Sequence, residues 1–329
     1  MTGVKMKLSP EVVGLLVCPC CGSRLRDAER SLACTGSVCG VSFPVIDGIP
    51  VLLNESNSLF RFSDFSAGTD TFYRKASRGR IKRSLTRLIP DCSLNVKAAE
   101  NYKRLADELR KGAQTPRILV LGGSVFNRGM EFLLGDAFEL IETDVSFGTR
   151  TQAIVDGHNI PFEDNCLDGV VVHAVLEHVL DPVRCVSEIH RVLKPDGLVY
   201  AETPFIQQVH AGPYDFTRFT HLGHRRLFRH FEEIDSGAAC GSGMALAWSY
   251  RHFLTSFSTH PKVRSLLTAF AHLTAFWLKW FDRHLIDKPG CLDAASGVYF
   301  LGRKSTTALA DRDLIKGYRG AIALLKPRA

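Results

Sequence analysis

The stretch "RILVLGGSVFNRGMEFLL" (Arg117–Leu134) places an apolar run, two adjacent glycines and a second apolar run in succession. This order predicts a buried strand, a tight turn and a helix. The pattern continues along the chain: "FELIETDVS" (Phe138–Ser146) predicts a strand, and "LDGVVVHAVLEHV" (Leu167–Val179) predicts a strand followed by a helix. "VSEIHRVLKPDGLVYAETPF" (Val186–Phe205) predicts a helix, a turn and another strand. Strands that alternate with helices indicate an α/β fold with a doubly wound, mostly parallel sheet.

In sheets of this kind, ligands bind beyond the carboxyl ends of the strands. Gly122 and Gly123 would let the backbone approach a ligand closely, because they carry no side chain. Asp144 ends the next strand, where a carboxylate can accept hydrogen bonds from both ribose hydroxyls. These features predict a nucleoside-binding site, but they do not choose between NAD and other nucleosides.

The segment Val155–Pro204 resembles class I S-adenosylmethionine-dependent methyltransferases, most clearly the branch that acts on small molecules. The characteristic parts are "IPFEDNCLDGVVVHAVLEHV" (Ile160–Val179) and "EIHRVLKPDGLVYAETP" (Glu188–Pro204), and the resemblance covers residues 117–204. It implies S-adenosylmethionine as cofactor. The residues that it implies around that cofactor are Gly122, Gly123, Ser124, Asp144, Val145, Asp156, Gly157, His158 and His173.

Within that set, the resemblance assigns Gly122 to Ser124 to the methionine part and Asp144 to the ribose. Asp156 would bind the adenine amino group, and His173 would lie near the methyl group. "LEH" (Leu176–His178) is interpreted as packing in the following helix.

Val120 departs from the family pattern, which has an acid at this position, two residues before the first glycine. The acid helps to shape the loop around the amino-acid end of the cofactor. Weak cofactor binding, a shifted cofactor pose and a non-methylating descendant therefore stay open.

Two cysteine pairs near the N-terminus, Cys18–Cys21 and Cys34–Cys39, have the spacing of metal-binding turns. Four thiolates can hold one tetrahedral Zn²⁺, and a unit of about 50 residues buries too little apolar surface to be stable without such a ligand. Cys20 lies between the ligands and is the expected spare.

This segment resembles the zinc-ribbon family founded by the activator subunit of tRNA methyltransferases. The matching residues are "LLVCPCCGSRL" (Leu15–Leu25) and "FPVIDGIPVLL" (Phe43–Leu53), although the second cysteine pair is two residues wider than in the family. The zinc would be structural, because a four-cysteine site has no open coordination position.

The stretch Ala201–Phe231 is crowded with His, Arg and Phe and follows a strand expected to end beside the methyl group. We predict that it forms the wall of an acceptor site, with His210 as the base. Tyr214 and His173 are the other predicted catalytic residues. The predicted substrate-binding residues are His210, Tyr214, Asp215, Arg218, His221 and His224. The alternative interpretation is a turn followed by an amphipathic helix that packs against the sheet.

The predicted domains are a zinc ribbon (1–56), a basic linker (57–94), a methyltransferase domain (95–305) with a helical insert (245–290), and a tail (306–329). The insert is rich in Leu, Phe and Trp, so it is interpreted as a lid, a homodimer surface or a peripheral membrane helix. Arg74–Arg87 is a basic run that could meet phosphates or anionic lipid, although a solvated surface explains it as well. Ala295–Lys304 is the predicted last strand and is antiparallel in this fold.

The composition, with 45% hydrophobic and 23% charged residues and a net charge of +7, is that of an ordinary soluble protein. No signal peptide or membrane span of about 18–20 residues is evident, and ten cysteines without a secretion signal favour a reducing, cytoplasmic location. The sequence predicts an enzyme that methylates an O or N nucleophile of a small molecule or a glycan or lipid intermediate. A methyltransferase of tRNA or protein and a non-catalytic scaffold are the alternatives. No tight binding to nucleic acid is expected.

Overall fold

The computed structural model describes residues 5–66, 89–124 and 126–322 of the 329-residue chain. Arg74–Arg87, the predicted basic run, lies outside the described residues. Among those described, no helix is long and apolar enough to cross a bilayer.

The N-terminal unit is built from four short antiparallel strands after one turn of helix, α1 (Pro10–Val13). The Ser9 side chain accepts a hydrogen bond from Val12 N and so begins this helix. The strands are β1 (Leu25–Ala28), β2 (Ser31–Cys34), β3 (Ser42–Ile46) and β4 (Ile49–Leu52), and each pairs with the next. Strand β1 has no buried residue, whereas β4 is buried throughout.

The larger unit is a seven-stranded sheet in the order β7-β6-β5-β8-β9-β11-β10. Its strands are β5 (Arg117–Leu121), β6 (Glu139–Asp144), β7 (Ala153–Val155), β8 (Leu167–His173), β9 (Leu193–Pro204), β10 (Phe231–Cys240) and β11 (Gly297–Lys304). The first five are parallel, whereas β11 is antiparallel to both β9 and β10. The predicted doubly wound α/β sheet and its antiparallel last strand are confirmed.

Helices cover the sheet and bury their apolar faces on it. The helices up to β10 are α2 (Phe62–Phe65), α3 (Ala98–Gly112), α4 (Pro182–Val192) and α5 (His221–Leu227). In α3, residues spaced three or four apart are fully buried, among them Tyr102, Leu105 and Leu109. This spacing is the periodicity that predicts the helix.

Two predicted helices differ from the structure. In the described residues between β5 and β6 the chain forms only a 3₁₀ turn, Met130–Leu133, where a helix is expected. Gly129 before this turn and Gly135 after it have positive φ values of 95° and 100°, a conformation that interrupts a right-handed helix. After β8, the "LEH" residues form turns, and α4 begins only at Pro182, so the prediction that they lie in a helix is wrong.

The predicted helical insert is present between β10 and β11. It consists of α6 (Ser242–Thr255), α7 (Pro261–Ala275), a 3₁₀ segment (Phe276–Trp280), α8 (Asp282–Leu285) and α9 (Pro289–Asp293). Ten of its large apolar side chains are exposed: Leu246, Phe253, Phe257, Val263, Leu266, Phe270, Leu273, Trp277, Trp280 and Phe281. A last helix, α10 (Asp311–Lys316), follows β11 in the predicted tail.

The two units share one sheet and one core. Strand β4 pairs in parallel with β7, through Val51 opposite Ile154 and Leu52 opposite Val155. The cluster of buried residues that holds Leu16 and Cys18 of the N-terminal unit also holds Leu119 of β5. The N-terminal unit therefore extends the sheet at the β7 edge.

Candidate active site and metal centre

Four thiols converge in the N-terminal unit. The Sγ atoms of Cys18 and Cys39 are 3.7 Å apart, and those of Cys21 and Cys34 are 3.4 Å apart. All four sulfur atoms lie within 4.8 Å of one another. Tetrahedral Zn²⁺ with bonds of about 2.3 Å separates its sulfur ligands by about 3.8 Å, so these four residues fit one zinc ion. Cys20 is exposed and stands outside the cluster, as the sequence predicts.

The predicted nucleoside residues meet at the carboxyl ends of the parallel strands. Gly122 follows β5, Asp144 ends β6 and His173 ends β8. One cavity brings them together with residues from further along the chain. Its lining includes Leu121, Gly122, Ser124, Asn127, Asp144, Val145, Val155, Asp156, Gly157, His158, His173, Ala174, Val175, His178 and Val179. We call this the cofactor cavity.

Asp144 is held in place by the backbone of two loops. Its Oδ2 accepts a hydrogen bond from Ser124 N at 3.1 Å, and its Oδ1 accepts one from Ser146 N at 3.0 Å. Burial raises the pKa of this carboxyl, and these hydrogen bonds oppose the rise. Each oxygen has further acceptor capacity for a ligand hydroxyl.

The glycine loop is tight for a steric reason. Gly122 has φ +75°, and a Cβ there would lie 2.5 Å from the Val175 side chain. A larger residue would therefore disturb both the turn and the cavity wall. Val120, which replaces the family acid, is buried in the core of the sheet.

Asp156 is the second buried carboxylate of the cofactor cavity. Its Oδ1 accepts hydrogen bonds from the backbone N and from Nδ1 of His158, the latter at 2.6 Å, and its Oδ2 accepts one from Ser58 Oγ at 2.6 Å. Burial opposes ionisation of Asp156, but these hydrogen bonds outweigh it and lower the pKa. His158 Nε2 accepts from Asp181 N, so the His158 ring is locked in one tautomer.

A short segment after the N-terminal strands closes the cofactor cavity. Leu59 and Phe60 line it beside Asp156, and Phe60 stacks on Tyr214 with ring centroids 6.0 Å apart. The sequence assigns this segment to a linker and so misses three site residues, including Ser58. The apolar pair Leu59–Phe60 directly after the ribbon strands is the signal that could have found them.

A second cavity of about 340 Å³ adjoins the first. Its lining combines polar groups with the beginning of the helical insert: Ser93, Leu94, Asn95, Arg128, His173, Ala174, Glu177, Glu202, Thr203, Pro204, Gln207, His210, Cys240, Met244 and Gly297. We call this the acceptor cavity. His173 and Ala174 line both cavities, so the two meet at the end of β8.

His173 faces polar groups on the acceptor side. Its Nδ1 is 3.7 Å from Glu202 Oε1 and 3.5 Å from Tyr102 Oη. Glu202 is buried and accepts a hydrogen bond from Asn95 Nδ2 at 2.6 Å.

An ion pair between Arg218 and Asp215, both within the predicted acceptor loop, stabilises the conformation of that loop. Arg218 binds both carboxylate oxygens of Asp215 and the carbonyls of Gln207 and Gln208. Burial opposes ionisation of Asp215, but the Arg218 guanidinium and the His210 backbone N–H lower its pKa to about 2. Arg218 and Asp215 therefore hold the loop in shape, and neither lines a cavity described above.

The predicted histidines of the loop separate into two groups. His210 lines the acceptor cavity, whereas the Tyr214 ring stacks on Phe60 and does not line that cavity. His221 is buried in α5 and contacts Ser236, and His224 is buried against Phe228. The structure therefore does not bring His221 and His224 to either cavity, because they occupy the helix face that packs on the sheet.

The sequence pattern assigns Glu177 and His178 to packing, yet both line cavities. Glu177 is fully buried, and neither carboxylate oxygen has a hydrogen-bond partner in the part of the chain that the structure describes. Burial raises its pKa to about 8. His178 Nδ1 lies 2.6 Å from the Tyr214 carbonyl oxygen, to which it donates.

S-adenosylmethionine is the cofactor that this fold class implies, and the residues present fit it. The cofactor cavity offers buried Asp144 for the ribose hydroxyls and Asp156 for an amino group, at the carboxyl ends of parallel strands. Apolar side chains such as Leu59, Phe60 and Val145 can cover a flat base.

Comparison with known proteins gives one family match: residues 127–201 match the family described as "Methyltransferase domain". Demethylmenaquinone methyltransferase from Staphylococcus epidermidis is 46% identical over 44 residues, which are 13% of this chain. The chain thus spans only 18% of the length of this curated relative.

Solved structures with similar folds include 1,6-didemethyltoxoflavin-N1-methyltransferase from Burkholderia thailandensis. It is 13% identical, covers 68% of this chain and 83% of its own, and has a TM-score of 0.37. Another is a complex of the Trm112 methyltransferase activator from Haloferax volcanii, at 16% identity, 64% and 92% coverage and a TM-score of 0.38. These scores are too low to transfer a function.

The residues matched to the methyltransferase domain include the ends of β6 and β8, which line the cofactor cavity. Both observations therefore indicate a methyltransferase domain in this part of the chain, and the four cysteines of the N-terminal unit are suited to zinc.

Proposed function

We propose that this chain is an S-adenosylmethionine-dependent methyltransferase, and that it transfers the methyl group to an oxygen or nitrogen nucleophile of a small molecule or of a glycan or lipid intermediate. The observation that carries the proposal is the junction of the two cavities at His173 and Ala174. A cavity of about 340 Å³ has the size of a small-molecule pocket rather than of a groove for a polymer.

The cofactor, when bound, supplies an electrophilic methyl group. We propose that Asp144 and Val145 hold its ribose and that Asp156, with Gly157 and His158 beside it, holds its adenine. Gly122, Gly123 and Ser124 would form the backbone cradle at the methionine end. Supporting this assignment, seven of these eight residues line one cavity, and the remaining one, Gly123, packs behind it against Glu142.

His173 is the group that we propose to take the acceptor proton. It lies where the two cavities meet, and Glu202 stands 3.7 Å away to stabilise the protonated ring. Tyr214 supports the site indirectly through Phe60 and His178. Arg218 and Asp215 act as positioning residues that hold His210 at the acceptor cavity, because Asp215 Oδ2 accepts from His210 N.

The helical insert contributes one wall of the acceptor cavity. Met244 in α6 lines this cavity, and Ser249 accepts a hydrogen bond from Gln208 Nε2 at 3.0 Å. These contacts favour the lid interpretation for the beginning of the insert. Its use as a homodimer or membrane surface stays a prediction for the exposed outer face.

The proposal is tested by incubating the protein with S-adenosylmethionine labelled in the methyl group and with a cell extract separated by molecular size. We expect label in the small-molecule fraction. His173→Ala should reduce the rate by about 10²–10⁴-fold while cofactor affinity stays within a few-fold. His260→Ala, an exposed histidine in the insert, is the matched control.

Two results would contradict the proposal. Label that enters RNA or protein instead would establish the macromolecule alternative. No labelled product together with no binding of the cofactor would favour a scaffold.

A further inference from the structure

Glu177, His178 and His210 form a compact group of potential metal ligands outside the cysteine cluster. One ligand atom from each lies within 4.8 Å of the other two. Glu177 Oε1 is 3.6 Å from His178 Nε2 and 3.9 Å from His210 Nε2. Ligands bound at about 2.1 Å around a tetrahedral ion are roughly 3.4 Å apart, so only small side-chain shifts are needed to bring all three onto one ion.

The carboxylate of Glu177 is fully buried, and among the described residues neither of its oxygens has a hydrogen-bond partner. A buried carboxyl group in this condition costs stability unless something absent from the protein binds it.

Both imidazoles are oriented as metal-binding imidazoles are. His178 Nδ1 donates to the Tyr214 carbonyl, which turns Nε2 toward Glu177. His210 Nδ1 faces Asp215 Oδ2 at 3.4 Å, which turns its own Nε2 toward Glu177. A partner on the second ring nitrogen is the usual arrangement around histidines that bind metals.

We propose that Glu177, His178 and His210 bind a divalent first-row transition metal such as Mn²⁺, Fe²⁺, Co²⁺ or Zn²⁺. Two imidazoles and one carboxylate form a donor set suited to these ions, and three protein ligands leave coordination positions open. Glu177 and His210 line the acceptor cavity, so the open positions face that cavity.

The metal would have a consequence for the reaction, and this part rests on the proposed function. An acceptor oxygen bound to the ion would lose its proton more easily, since a divalent ion lowers the pKa of a bound hydroxyl. His173, at the same end of the cavity, is placed to receive that proton.

The test measures metal binding alone, on the full chain with its cysteine site loaded with zinc and without cofactor or acceptor. Mn²⁺ is the probe, because thiolate sites bind it weakly and its paramagnetism reports its ligands. We expect one Mn²⁺ per chain at submillimolar concentration, with two imidazole nitrogens visible in pulsed electron paramagnetic resonance. The zinc content should not change.

Glu177→Gln and His210→Gln should each weaken Mn²⁺ binding by at least about 10-fold. The His210 side chain is 26% exposed, so His210→Gln carries the test even if Glu177→Gln does not fold. His260→Gln is the control and should bind Mn²⁺ as the unmodified protein does. Absence of Mn²⁺ binding, binding without nitrogen ligands, or unchanged binding by His210→Gln would each overturn the proposal. A failure to find methyl transfer would leave it intact.

Discussion

Asp144→Ala provides the sharpest test of the cofactor cavity. If the Asp144 carboxylate accepts hydrogen bonds from the ribose hydroxyls, its removal should cost about 1.5–3 kcal/mol of binding free energy, the value of hydrogen bonds to a charged group. This corresponds to an affinity for S-adenosylmethionine about 10–150-fold weaker. The carboxylate is buried at the end of β6 and already aligned by Ser124 and Ser146, so little energy is lost in ordering it.

The assay is isothermal titration of each variant with S-adenosylmethionine, together with thermal unfolding to verify the fold. Glu142→Ala is the matched control, because Glu142 is two residues earlier on the same strand and pairs with Arg150. It should lose stability without a comparable loss of affinity. An affinity for Asp144→Ala within about threefold of the unmodified protein, in a folded variant, would refute the assignment of the ribose to this residue.

The other predictions concern Phe60 in the cofactor cavity, the cysteine cluster and a buried histidine. Phe60→Ala should weaken cofactor binding roughly 10-fold in a titration, because its ring closes the cavity beside Asp156. Cys21→Ser should contain no zinc in metal analysis. It should also bind the cofactor several-fold more weakly, because the segment that contains Phe60 directly follows the N-terminal strands. Full cofactor affinity in the zinc-free variant would contradict this prediction. His224 should make the protein less stable in acid: burial lowers its pKa to about 3, whereas the unfolded chain binds the proton from about pH 6.5 downward. The free energy of unfolding is therefore highest above pH 6.5 and decreases as the pH falls toward 3, by about 2 kcal/mol at pH 5. Denaturant unfolding at pH 5 and pH 8 measures this decrease, which should be smaller for His224→Phe.

The parallel strands and the cysteine cluster could be predicted because their signals are local. Apolar runs that end at Gly122, Asp144 and His173 predict parallel strands whose carboxyl ends bind one ligand. The spacing of the cysteines predicts a tetrahedral metal site. The same holds for α3, whose buried residues recur every three or four positions.

The parts that could not be predicted depend on contacts between distant residues. Ser58 reaches Asp156 across 98 positions of the sequence, and no local pattern reports such a contact. His210 and His224 look equivalent in the sequence, but one lines a cavity and the other is packed under the sheet. The sequence pattern around Glu177 is that of an ordinary helix, whereas in the described structure its carboxylate is buried without a hydrogen-bond partner.

The parallel pairing of β4 with β7 has a consequence for how the protein folds. Strand β7 is three residues long and, without β4, it would be the unprotected edge of the sheet, where another chain could add a strand. Because β4 and β7 are about a hundred residues apart in the chain, this contact can form only after β5, β6 and β7 have been synthesised. We expect a chain that lacks residues 1–56 to pair with other copies of itself through β7 and to precipitate. The N-terminal unit would then protect the protein against aggregation.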